Sequence, residues 1–190
     1  TDTSHWLYSV AIMNDWIALG YRSDCPSGAC INGIIHGGIY LFKNENNAWV
    51  QKQYIYPMGI TNGADFGISI SMSGGYLAAG TSAAYGTDAT HRVYVYRLDG
   101  SQWVEHQIIQ KQSYEWSAAV GGNRVFLHTW SAKNFEVYEP NQTSQQFELS
   151  KTIACNTSCA LSAFDDRVAF TGDSYTTSGG VGGIYRHAGA

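Results

Sequence analysis

The sequence predicts an all-β protein built from repeated antiparallel units. Three observations predict it. A fifteen-residue pattern occurs twice without a gap, sixty positions apart: Trp6 to Gly20 reads WLYSVAIMNDWIALG and Phe66 to Gly80 reads FGISISMSGGYLAAG. Each copy is an aromatic, an alternating apolar stretch, a small polar turn, a second apolar run and a glycine, the signature of a chain made of similar supersecondary units. The composition agrees, with 21 Gly, 13 Tyr and only 3 Pro, which suits short strands joined by glycine turns. Charged residues are scarce at 14%, while hydrophobic residues reach 44%; an average soluble chain carries ~25% charge.

The second copy is the clearer one. Residues 66–72 alternate apolar and small side chains, a strand pattern. Ser73-Gly74-Gly75 turns the chain, and Tyr76 to Gly80 makes a second strand. After a polar loop, Arg92 to Arg97 is rich in β-branched and aromatic residues and makes a third strand. Asp99-Gly100 is a hairpin signal, and Trp103 to Ile109 makes a fourth.

The first unit matches element by element, with strands expected near Leu7–Ile12, Trp16–Gly20, Gly38–Phe42 and Trp49–Tyr54. Its third and fourth strands precede their counterparts by fifty-four positions rather than sixty, and the difference falls in the loop that holds Cys25 and Cys30. A third, worn unit has strands at Trp116 to Val120, Arg124 to His128, Phe135 to Tyr138 and Gln146 to Leu149. A fourth has Cys159 to Ala163, Asp166 to Thr171 and Gly182 to Tyr185, with no fourth strand before Ala190.

Four-stranded antiparallel units of ~40–50 residues read as blades of a β-propeller. The expected blades are 1–57, 58–111, 112–153 and 154–190, forming one domain that is either complete at four or part of a larger ring. The alternative is a β-sandwich with accidental internal similarity, against which the ungapped match argues. Trp49 and Trp103 recur at equivalent positions, so both are expected to pack between blades. Trp16, Trp116 and Trp130 are less regular and include candidates for an exposed stacking surface.

These blades resemble the FG-GAP, or integrin-alpha-like, propeller repeat. In that family a blade opens with Phe-Gly, continues to a strand ending in glycine, and then shows a Val-Tyr-Val-Phe-like strand and a Trp. The matching residues are Phe66, Gly67, Gly80, Val93, Tyr94, Val95, Tyr96 and Trp103. In the first unit they are Trp6, Gly20, Gly38, Ile39, Tyr40, Phe42 and Trp49. The resemblance implies a blade and no particular activity. Some family members bind calcium through an acidic loop between the second and third strands. Here the loops beginning at Arg22 and Thr81 each carry one acidic residue, too few for the oxygen shell, so no calcium and no other cofactor is expected.

The four cysteines form two tight pairs, Cys25 with Cys30 and Cys155 with Cys159. Two local disulfides are the leading reading; free thiols, a four-thiolate zinc site and cross-pairing are the alternatives. Disulfides would place the protein outside the reducing cytosol. Asn141 and Asn156 both satisfy the N-glycosylation sequon. The sequence starts without Met or a basic-then-apolar leader and reads as a mature or internal segment. An extracellular or cell-surface location is therefore expected.

The formal net charge is -4, and no basic run is present, which argues against nucleic-acid binding. No apolar run approaches the ~18 residues of a membrane span. Catalytic signatures are missing too. The six histidines, His5, His36, His91, His106, His128 and His187, form no close metal pair and are expected in loops or on strand edges, solvated or hydrogen-bonded. Gly179 to Gly183 lacks the Lys of a phosphate loop, and Asp165-Asp166 occupies the turn position of Gly74-Gly75.

The expected function is therefore a non-catalytic extracellular propeller acting in structure or assembly, with a glycosylated surface filament as one form. Its partners would be proteins, glycans or copies of itself, reached through blade edges. A carbohydrate- or protein-binding adhesion module and a secreted propeller hydrolase are the alternatives.

Overall fold

The computed structural model describes residues 6–22, 37–56, 65–81, 91–111, 115–129, 134–155, 158–165, 167–173 and 181–186. All regular structure among them is β. The first sheet holds β1 (Trp6–Met13), β2 (Trp16–Arg22), β3 (Gly38–Glu45) and β4 (Ala48–Ile55). The second holds β5 (Ser69–Ser73), β6 (Tyr76–Gly80), β7 (His91–Asp99) and β8 (Gln102–Lys111). The third holds β9 (Glu115–Gly121), β10 (Arg124–Thr129), β11 (Asn134–Pro140) and β12 (Phe147–Ala154). The fourth has β13 (Ser158–Phe164), β14 (Arg167–Asp173) and β15 (Val181–Arg186).

Each sheet is a meander in chain order and every neighbouring pair is antiparallel. Three sheets have four strands and the last has three. The arrangement is a four-bladed β-propeller, as the repeat predicts. Two-residue turns link first and second strands, and their first residue is Asn14, Gly74, Gly122 or Asp165, all at positive φ. Gly, Asn and Asp tolerate that left-handed conformation best. Asp165 therefore does turn work.

The first strands line the inside. β1 packs on β5, β5 on β9 and β9 on β13, whereas the outer strands β4 and β8 barely meet. Close approach at the inner end demands small residues: a Cβ at Gly20 would collide with the carbonyl oxygen of Gly67, and one at Gly74 with that of Gly122. β13 has no contact with β1 comparable to these, so the described residues form an open arc of blades.

The core is three separate layers, one in each gap between blades. Trp16, Ile39 and Leu41 of the first blade meet Met72, Leu77 and Tyr94 of the second. Val93, Val95 and Ile109 meet Val120, Leu127 and Phe147 in the next gap. Phe126, Phe135 and Val137 meet Val168 and Phe170 in the third. A sheet buried on both faces explains why the second blade is almost continuously apolar along β6 and β7.

Two expectations need correction in detail. Phe66 does not open a strand: Gly67 has φ of 85°, Ile68 N–H donates to Asp65 O at 3.2 Å, and β5 starts at Ser69. Phe66 is instead a buried wedge set edge-on against Tyr94, 5.3 Å between ring centres. His128 is not solvated. It lies buried within β10, and that burial holds its pKa below the usual histidine value.

Candidate functional site

Blades are joined by a repeated polar clasp. Gln53 of β4 donates through Nε2 to Trp103 O (2.8 Å) and accepts from Trp103 N–H through Oε1 (2.9 Å). Gln107 of β8 does the same to Phe147, at 3.0 Å and 2.6 Å. A carboxamide can satisfy both backbone groups of one residue because it carries a donor and an acceptor on one carbon. The glutamines are structurally equivalent: Gln53 pairs with Leu41, and Gln107 with Val95, each beside a bulge in the fourth strand. Lys151 takes this place in the third blade, opposite Val137 and again beside a bulge. Its ammonium sits 5.4 Å from the Tyr185 ring centre, a cation–π contact.

Serines rung the inner gap. Ser69, Ser71 and Ser73 accept from the backbone N–H of Ala118, Val120 and Gly122 at 3.3, 2.9 and 3.0 Å. Ser9 donates to Gly67 O at 2.6 Å. The blades thus have a forward face, which carries the clasp in the first two, and a rear face that is mainly apolar.

The two ends of the arc expose these faces. Val10 and Ile12 on the rear of the first blade are 63% and 64% exposed. Their counterparts in the repeat, Ile70 and Met72, are buried against the first blade. Ile184 pairs with Ala169 as Val95 pairs with Ala78. Ile184 therefore stands where Leu41, Val95 and Val137 are buried, yet it is 75% exposed. Phe164, at the end of β13 in the neighbouring row of the same face with Arg167 and Arg186, is also exposed.

The same logic separates the two equivalent tryptophans. Trp103 is 2% exposed and set edge-on to Trp16, 5.8 Å between ring centres. Trp49 is 44% exposed. Packing between blades is expected of both; among the described residues Trp103 has the first blade to pack on, and Trp49 has none. Trp16 is core, not a stacking platform.

Of the other motif residues, Gly20 and Gly80 lie in β2 and β6, and Tyr40 and Tyr94 in β3 and β7. Trp6 starts β1, but its side chain lies outside the description, as do those of Trp116 and Cys159. Trp130, Cys25, Cys30, Asn156, Asp166 and the loops considered for calcium past Arg22 and Thr81 fall outside the described residues. Cys155 is buried and disulfide-bonded. Asn141 shapes the β11–β12 connection: its Oδ1 accepts from Thr143 and Ser144 N–H, and its Nδ2 donates to Glu148 at 3.0 Å. Among the described residues no group of three His, Cys, Asp or Glu could hold a metal ion.

A second feature lies between the outer strands of the first two blades. A cleft of about 310 Å³ is lined by Gln53, Tyr54, Ile55, Tyr56, Tyr96, Glu105 and Ile108. Tyr54 and Tyr56 stack, 5.9 Å between ring centres. Burial, and then the Glu105 charge, push the Tyr96 phenol well above its usual pKa, so it stays protonated. Its hydroxyl finds no hydrogen-bond partner among the described residues. Sequence reasoning missed both the glutamine clasp and this cleft. The Gln at four positions beyond Trp49 and Trp103 was the available signal for the clasp.

No protein-family model matches the chain, and no curated protein matches it. Solved structures do. The crystal structure of Sqt1 from Chaetomium thermophilum is similar to 87% of this chain at a TM-score of 0.53 and 14% identity. The chain spans 40% of the length of that structure. A Lactobacillus plantarum protein is similar over 93% of this chain and 54% of its own, at a TM-score of 0.48 and 11% identity. At this identity the Sqt1 likeness shows the fold and nothing more.

Proposed function

We propose that the chain is a non-catalytic propeller that works by binding and assembly, outside the cell, within the FG-GAP-like class its blade motif resembles. The observation that carries this reading is the pair of exposed terminal faces, apolar at positions that the repeat elsewhere buries between blades. Contiguous apolar surface of that kind marks an interaction site, and propellers commonly serve as interaction modules. The scarcity of charge at 14% lowers repulsion between docked surfaces. The disulfide at Cys155 and the sequons at Asn141 and Asn156 support an oxidising, glycosylating environment. A glycosylated surface filament is the form of this assembly we favour.

Electron microscopy of native material tests the reading. Filaments or defined multi-chain particles are expected; isolated single chains with no bound partner would count against it. Intact mass before and after deglycosylation tests the sequons.

The aromatic cleft favours a second reading, an adhesion module that binds carbohydrate. Tyr54 and Tyr56 offer ring faces, and Glu105 and Gln53 offer polar groups, a mix suited to a sugar. Glycan-array binding lost on Tyr56→Ala would support it.

A further inference from the structure

The geometry points to a specific mode of self-association: the forward face of the fourth blade of one copy docks on the rear face of the first blade of a second copy. This rests on the assembly reading above and names its partner and its surfaces.

The argument is one of equivalence. Three blade-to-blade contacts exist within the chain, and each sets the forward face of one blade on the rear face of the next. On the forward side, rows run across the sheet from inner to outer strand. One row is Ser71, Ala78, Val95 and Gln107 in the second blade. The corresponding row of the fourth blade is Ser162, Ala169 and Ile184. Serine, alanine and a branched apolar residue recur in the same order. In the second blade the serine of this row accepts a hydrogen bond from Val120 N–H. The residue of the first blade equivalent to Val120 is Ile12, since each precedes its β-turn by the same offset as Met72 does. Ser162 of one copy is thus matched to the backbone of Ile12 in another.

The rear of the first blade completes the match. Val10 and Ile12, exposed at 63% and 64%, repeat Ile70 and Met72, which are buried in the first gap. Trp49, 44% exposed, repeats Trp103, which fills that gap's outer end. The chain therefore carries both halves of a contact it already makes three times, and a second copy continues that contact without any new surface. A contact between two different faces is heterologous. It closes into a ring or continues as a filament, according to the rotation from blade to blade.

The test uses two charge substitutions at exposed positions, where folding tolerates them. Ile12→Asp blocks the rear face and Ile184→Asp blocks the forward face. Sedimentation velocity and mass photometry of the whole chain read the assembly state, and circular dichroism checks the fold. If either variant misfolds, Val10→Asp or Phe164→Asp replaces it at the same face. Wild type is expected to associate, and each variant alone to weaken association at least ~100-fold, because docking would bury an unpaired carboxylate. An equimolar mixture of the two variants should recover a species of two chains and no larger, since each supplies the face the other lacks. Wild type that stays monomeric overturns the inference. So does either variant that assembles alone, which would mean a contact between like faces, and so does a mixture that stays monomeric. A monomeric wild type that still binds a glycan or a distinct purified protein would leave the proposed function standing without this contact.

Discussion

Gln107 shows how much one side chain does here. Its carboxamide holds both backbone groups of Phe147, and these lie at the outer end of a gap whose inner end is fixed by Ser71 and Ser73. Gln107→Ala leaves two partly buried backbone groups unpaired and should cost about 2 kcal/mol, read as a lower urea midpoint at unchanged slope. His128 makes stability depend on pH on the acid side. Its pKa in the folded protein lies below the usual 6.5 because burial penalises the imidazolium. In the unfolded chain it binds a proton more readily, so the stability it allows is complete above pH ~6.5. That stability is lost progressively as the pH falls from there through the folded pKa. Urea midpoints at pH 7 and pH 5 should therefore differ, and His128→Gln should narrow the difference. An unchanged difference in the variant would assign the acid sensitivity elsewhere.

Strands are where repeat and context part company. The first blade and the second share residue pattern, strand register and the bulge in the fourth strand. They differ in burial because one is flanked on both sides and the other on one. Trp103→Ala should cost ~3–5 kcal/mol, as for any large aromatic removed from a core. Trp49→Ala should cost under ~1 kcal/mol in the isolated chain, though the two residues are equivalent in sequence. Thermal melts of the two variants test this, and equal losses would refute the burial argument. Gly20→Ala probes the inner end, where the new methyl meets the Gly67 carbonyl. Overpacking of this kind costs ~1–3 kcal/mol, with the first two blades pushed apart.

At the scale of the molecule, stability resides in gaps between blades rather than in a central core. Among the described residues the extensive contacts run between successive blades, so the architecture is close to one-dimensional, and the end blades are the weakest. Hydrogen exchange should be slowest in β6, β7 and β10, which are buried on both faces, and fastest in the three-stranded fourth blade. Association by the terminal faces should slow exchange in β1 and β14. Cys155, just after β12, is disulfide-bonded. Should its partner be Cys159, the small loop contributes ~2 kcal/mol at most, and peptide mapping without reduction will identify the pair.

Fifteen strands and their turns were legible in the sequence because a strand's period of two and its Gly, Asn or Asp turns are local properties. The paired offsets of sixty and fifty-four even located the blades. Burial was not legible, because it depends on what stands beside a blade. Val10 and Ile70 fill the same place in the same motif, and only the tertiary structure separates an exposed face from a core. The clasp of Gln53 and Gln107 was hidden for a related reason: a glutamine on an outer strand reads as a solvated side chain until the next blade's backbone is placed against it. The sequence by itself determined the blade, since everything within one meander is set by neighbours along the chain. The tertiary structure decided the gaps and the open ends, since these depend on contacts between residues distant in the chain, such as Gln53 with Trp103.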